Sequence, residues 1–161
     1  MVPKMTHVAM RVRDSELREA EAFYSRLFGM ATCFRETMTD DGWATLPEEE
    51  GWEFAERHGL KIGLVMLYNG DFAIDLESRP VPEGRGRYSH AGLQVAGREL
   101  DEVRSKAEEM GCSIAFDSPA TLVFDDPYDM RWELTTLDYA VPRGLSAGAR
   151  EGRWAADLVA A

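Results

Sequence analysis

The stretch His7-Val8-Ala9-Met10-Arg11-Val12 returns 83 positions later as His90-Ala91-Gly92-Leu93-Gln94-Val95, and that return decides the fold. In a strand, alternate side chains share a face, so each copy reads as a strand that begins its polar face on a histidine. The first copy is followed by a polar break, Arg13-Asp14-Ser15, and then by Leu17, Ala20, Phe23, Tyr24, Leu27 and Phe28 at helical spacing. Asp14 is placed to cap the start of that helix and Gly29 to close its end. The second copy is followed by Ala96-Gly97 and then by Leu100, Val103, Ala107 and Met110 at the same spacing, closed by Gly111. His7 to Gly29 covers 22 steps and His90 to Gly111 covers 21, so one strand-and-helix unit occurs twice.

Beyond each closing glycine the chain turns to extended segments rich in β-branched and aromatic residues. In the second half these are Cys112 to Phe116, Thr121 to Phe124 and Arg131 to Thr136, with a turn at Asp125-Asp126-Pro127. In the first half they are Thr32 to Glu36, Lys61 to Leu67 and Phe72 to Glu77, with a hairpin turn at Asn69-Gly70. The chain therefore reads as an α+β protein of two tandem βαβββ modules. One domain covers 1–140, with module 1 at about 5–79 and module 2 at about 88–137. Module 1 carries an insertion at about 37–59 that holds Trp43, the acidic run Glu48-Glu49-Glu50 and a helix through Trp52, Phe54 and Ala55, a candidate lid or dimer contact. Pro80 to Tyr88 reads as a polar linker, and 141–161 as a peripheral tail with a short helix at Arg153 to Val159.

The strand period also sorts candidate functional residues. His7 shares a face with Ala9 and Arg11, and His90 with Gly92 and Gln94. In the last strand of each module, Ala73, Asp75 and Glu77 oppose Phe72, Ile74 and Leu76, while Arg131, Glu133 and Thr135 oppose Trp132 and Leu134. A lone strand histidine is ordinarily just a hydrogen-bonded residue, and alternating acids are ordinarily solvated. The repeat changes that weighing. It supplies one histidine and one carboxylate per module, so a pseudo-two-fold pairing brings His7, His90, Asp75 and Glu133 together. Two imidazoles and two carboxylates suit one divalent ion of Zn, Ni, Co, Mn or Fe, and not calcium or a thiolate site.

These residues resemble the vicinal-oxygen-chelate superfamily, which includes glyoxalase I, methylmalonyl-CoA epimerase, extradiol dioxygenases, fosfomycin-resistance transferases and bleomycin-sequestering proteins. The carriers are the strand from His7, the helix end Ala22-Phe23-Tyr24 with Leu27-Phe28-Gly29, the strand from His90, and Asp126-Pro127 leading to Trp132-Glu133-Leu134. The resemblance spans His7 to Thr136 and implies a curved mixed sheet shaped as a cup, with the metal on His7, His90 and Glu133. It also implies that Arg11 meets a substrate anion or carbonyl there, with Gln94 as a further substrate contact. Asp75 stands where glyoxalase-type members usually have glutamate, one methylene longer, so three arrangements stay open: direct ligation, ligation through water, or a three-ligand site. Glu77, two positions on, is a candidate substitute. The turn Asp126-Pro127-Tyr128-Asp129 replaces the family's Asp-Pro-Asp-Gly.

The chemistry implied is chelation of two neighbouring substrate oxygens, as in a glyoxalase-like or isomerase-like enzyme, with Glu133 or Asp75 moving a proton alpha to a carbonyl. Trp43 or Trp52 would help to close the pocket, or serve simply as core or interface aromatics. One alternative is extradiol cleavage by Fe(II) on His7, His90 and Glu133, which leaves Asp75 outside and would call on His58 as acid or base. Another is a metal-free protein that binds or sequesters a small molecule, as in antibiotic resistance.

Bulk properties narrow the partners. With 18 basic against 29 acidic residues and a net charge of −11, the chain repels phosphate backbones and anionic membranes. The longest apolar run, Gly63 to Tyr68, is far short of the roughly 20 residues that span a bilayer, and no signal-peptide core precedes it. A cytoplasmic protein acting on a small molecule, without nucleic acid or membrane, is the expectation, with a homodimer as its assembly. Cys33 and Cys112 form no CxxC pattern and read as small buried hydrophobes.

Overall fold

The computed structural model describes residues 4–47, 50–70, 72–81, 86–128, 130–137 and 152–160. In chain order the elements are β1 (Lys4–Val12), α1 (Leu17–Phe28), β2 (Ala31–Thr39), β3 (Gly42–Thr45), α2 (Gly51–His58), β4 (Ile62–Tyr68) and β5 (Ala73–Ser78). They continue as β6 (Tyr88–Gln94), α3 (Gly97–Glu109), β7 (Ser113–Asp117), β8 (Thr121–Asp125), β9 (Arg131–Thr135) and α4 (Ala155–Val159). The strands form one curved mixed sheet in the order β3-β2-β4-β5-β1-β6-β9-β8-β7. Each half repeats one arrangement. β5 lies parallel beside β1 as β9 lies parallel beside β6, and the halves join where β1 and β6 run antiparallel. The first strands of the two copies are thus neighbours at the centre of the sheet, which is why their histidines meet.

One face of the sheet is apolar and covered by helices. Val12, Ile74, Leu76, Val65 and Leu67 pack with Leu17 of α1 and with Phe54 and Ala55 of α2. Leu122, Leu134 and Val95 pack with Leu100 of α3. Because Ile74, Leu76 and Leu134 point to the helices, Asp75, Glu77 and Glu133 point to the other face. Gly29 closes α1 with φ 62 and Gly111 follows α3 with φ 78, the left-handed backbone that glycine adopts without strain.

The structure departs from the sequence reading at several points. Asp14 does not cap α1; it lies in a 3-10 turn, where it accepts from Ser78 Oγ at 3.1 Å and pairs with Lys61 at 2.8 Å. An ion pair and a second donor hold that carboxylate better than a lone backbone N–H would. β2 runs on to Thr39 because β3, inside the insertion, pairs with it. The insertion helix α2 is not a lid over the polar face. Its Phe54 and Ala55 are buried in the helix-side core, and Trp52 Nε1 donates to Glu21 Oε2 of α1 at 2.6 Å. Trp52 is therefore a core aromatic. Nor is all of the tail peripheral: Ala155 is wholly buried in the same core, and Trp154 bridges to Thr45 along the edge strand β3. Residues 82–85 of the linker, Glu48-Glu49, Asp129, 138–140 and 141–151 of the tail lie outside the described residues.

Candidate metal centre

The polar face can be built row by row from the strand register. Asp75 is opposite Ala9 on β1, and Ala9 is opposite His90 on β6. In the next row, His7 is opposite Gly92, and Gly92 is opposite Glu133 on β9. Side chains in such rows share a face and stand next to one another across neighbouring strands. Ala9 and Gly92 make a floor without bulk, and the four larger side chains lean across it. The spacing at Gly92 is strict: a Cβ there would lie 2.0 Å from His7 Cε1. A glycine inside a strand often marks such a close approach.

Over that floor His7 Nε2 comes within 3.0 Å of His90 Nε2, with the two rings edge to face. One ligand atom from each of His7, Asp75 and His90 lies within 4.8 Å of the others. Glu133 Oε2 stands 3.5 Å from His90 Nε2, beside this trio and outside it. All three members of the trio are nearly inaccessible to solvent. Burial holds the His7 imidazole down to about 3, helped by the neighbouring His90 and opposed by Glu77. Burial likewise holds His90 down to about 4, with Arg79, Arg131 and Arg11 pushing the same way. Both rings are neutral near pH 7, so the His90 contact with Glu133 is no ion pair there, and each ring keeps a lone pair for a metal. Asp75 is pushed well up, first by burial and then by Glu77 and Glu133, with Arg79 opposing.

Among the described residues, Asp75 Oδ1 is buried with no hydrogen-bond partner. An orphaned carboxylate oxygen costs free energy that a native structure rarely leaves unrecovered. Beside two neutral imidazoles, a divalent cation answers that oxygen better than a proton donor would, so the donor set fits a metal of the Zn, Ni, Co, Mn or Fe kind.

Of the other residues singled out in the sequence, Arg11 lies on the polar face in the row of Glu77 and forms no ion pair or side-chain hydrogen bond among the described residues. Gln94 sits at the far end of β6, opposite Thr135 and Lys4, so it and Arg11 flank the trio from opposite ends of the seam. Trp43 shares the polar face, at the β3 edge, with its ring over Gly63. His58 is exposed on α2 and packs on Phe54, on the helix side of the sheet and away from the trio. Glu77 is no loose strand-end acid: Ser89 Oγ donates to it at 2.5 Å and Arg79 pairs with it at 3.3 Å.

Sequence reasoning missed Thr6, Ser89, Arg79 and Glu36, the last a buried acid whose charge adds to the pressure on Asp75. Thr6 and Ser89 each occupy a register shift, where β1 and β6 fall out of step by one residue. A bulge turns its residue away from strict alternation, so a period-of-two reading assigns it to the wrong face. The available signal was the hydroxyl residue immediately before each repeated histidine.

No protein-family model and no curated protein matches the chain. Solved structures do. A hypothetical protein from Bacillus halodurans C-125 aligns over 84% of this chain and 94% of its own, at 15% identity and a TM-score of 0.50. Methylmalonyl-CoA epimerase from Mycobacterium tuberculosis aligns over 82% and 86%, at 15% identity and a TM-score of 0.47. A genomically encoded fosfomycin resistance protein from Listeria monocytogenes aligns over 85% and 93%, at 16% identity and a TM-score of 0.34. No helix among the described residues is long and apolar enough to cross a membrane. With its paired β1 and β6 and its two repeated strand orders, the chain has the glyoxalase-like fold of two tandem βαβββ modules in one mixed sheet.

Proposed function

We propose that the chain is a divalent-metal-dependent enzyme of the glyoxalase or isomerase kind, acting on a small substrate that offers two neighbouring oxygens. His7, His90 and Asp75 would hold the ion, with Glu133 beside them as a fourth ligand or as the base. The observation that supports this reading most is the buried Asp75, with one oxygen unpartnered among the described residues and a ligand atom within 4.8 Å of one from each neutral imidazole. When bound, the ion supplies Lewis acidity that draws charge from the chelated oxygens and acidifies the carbon between or beside them. The protein's own residues do the rest. Glu133 takes the proton alpha to the carbonyl and returns it. Arg11, half-buried and forming no ion pair among the described residues, meets the anionic or carbonyl oxygen of the substrate. Gln94 offers a neutral hydrogen-bonding group at the other end.

The Fe(II) dioxygenase alternative meets two obstacles. It leaves Asp75 out of the ligand set and needs an acid or base such as His58, which sits on the helix side. Metal-free binding gives no account of the orphaned Asp75 oxygen. The test is incorporation of solvent deuterium at the alpha carbon across a panel of 2-oxo acids, 2-hydroxy acids and thioesters, with Zn, Ni, Co or Mn supplied. Glu133→Gln is expected to slow exchange by about 10²- to 10⁴-fold. Oxygen uptake with a catechol and Fe(II), without deuterium incorporation in any of the panel, would overturn the proposal.

A further inference from the structure

We infer that Thr6 is a positioning residue that sets His7 as a metal ligand before any ion arrives; this rests on the metal reading of the site. Met5 pairs with Leu93 and His7 with Gly92, so Thr6 is one residue too many for the ladder. In a regular strand its hydroxyl would point to the face opposite His7. The bulge instead brings Thr6 Oγ1 to 3.1 Å from His7 Nδ1, in a place where Thr6 is 5% and His7 1% exposed. A hydroxyl can accept from Nδ1–H, and a ring protonated at Nδ1 keeps its Nε2 lone pair free. That Nε2 is the atom turned toward His90 at 3.0 Å. The ring has little room to turn elsewhere, since it lies against Gly92 with no space even for a Cβ.

The second module shows that this is not a general habit of the fold. β6 also slips by one residue immediately before its histidine, between the pairs Ala9 with His90 and Met10 with Tyr88. Yet the hydroxyl freed there, Ser89 Oγ, goes to Glu77 at 2.5 Å and not to His90. The two histidines are therefore held differently, His7 through its own neighbour and His90 without that help. Hydrogen bonds of this kind to the far nitrogen of a ligating imidazole fix its tautomer and orientation.

The experiment uses two readouts on the full chain. The first is the ring tautomer of His7 from nitrogen-15 NMR of metal-free protein near neutral pH. The second is Zn(II) affinity from competition with a chromophoric chelator. Wild type and Thr6→Ser are expected to show His7 protonated at Nδ1 and affinities within about threefold of each other, whereas Thr6→Val shows mixed tautomers and binds about 10- to 100-fold more weakly. Thr6→Ala, which removes the hydroxyl without added bulk, carries the same expectation and stands in if the valine variant fails to fold. An unchanged tautomer and affinity in the variants without a hydroxyl would overturn the inference. If wild type binds no divalent ion at all while the tautomer still follows the hydroxyl, the metal reading falls and the positioning role stands.

Discussion

Asp75→Asn is expected to move two properties in opposite directions: the metal-free protein becomes more stable above neutral pH, and divalent-ion affinity collapses. The stability effect follows from where Asp75 sits. It is 5% exposed, its Oδ1 has no hydrogen-bond partner among the described residues, and Glu77 and Glu133 crowd it with like charge. Its folded pKa is raised above the unfolded one, so the folded state binds more protons than the unfolded state once the pH passes about 4. Stability is then lost as pH rises, until the folded carboxyl itself ionises. Asparagine removes that loss, so the variant's urea midpoint is expected to exceed that of wild type above neutral pH, with the difference growing as pH rises. The metal effect has the other sign. Losing a charged ligand should weaken binding by more than the roughly 10- to 100-fold that loss of an outer partner costs. A merely structural aspartate would not give both results.

His90→Gln is expected to have the second large effect, again on two readouts. Divalent-ion binding should fall by more than about 100-fold, since one of the two imidazoles is gone. The acid side of the stability curve should flatten as well. The folded His90 pKa, about 4, lies below the ordinary 6.5, so on acidification the unfolded chain takes up its proton first. Stability of the metal-free protein is therefore present above 6.5 and lost as pH falls toward 4. Each such histidine contributes a slope of about 1.4 kcal/mol per pH unit in that window. His7 adds a second slope reaching to about 3. Asp75 opposes both in the same window, because its raised pKa stabilises the fold on acidification. Glutamine at position 90 keeps a hydrogen-bonding group but carries no titration, so the part of the slope that His90 supplies is lost.

Much of this was legible in the residues because the two periods, 3.6 and 2, do most of the sorting. The repeat from His7 and from His90 carried the two modules, and strand alternation placed Asp75 and Glu133 on the face opposite Ile74, Leu76 and Leu134. What alternation cannot see is a residue out of step, which is why Thr6 and Ser89 went unread. Nor can it see which side of a sheet an inserted helix covers. Trp52 carried an apolar ring suited to a lid, and only its packing against α1, with Glu21 accepting from its indole, shows that it belongs to the core. Asp14 was misjudged for a similar reason. Its partners, Lys61 and Ser78, come from segments 47 and 64 residues away, beyond any local capping rule. Among the four candidate ligands the sequence left Asp75 open between direct ligation, ligation through water and no ligation; in the structure only the small Ala9 stands between Asp75 and His90 in their row, and one ligand atom of Asp75 lies within 4.8 Å of those of His7 and His90.

The most direct test of the account is the metal content of protein purified without chelator or histidine tag and then offered a panel of divalent ions. About one ion per chain is expected in wild type, with loss of that ion in both His90→Gln and Asp75→Asn. Wild type that retains none of the ions offered, or variants that hold as much metal as wild type, would contradict it.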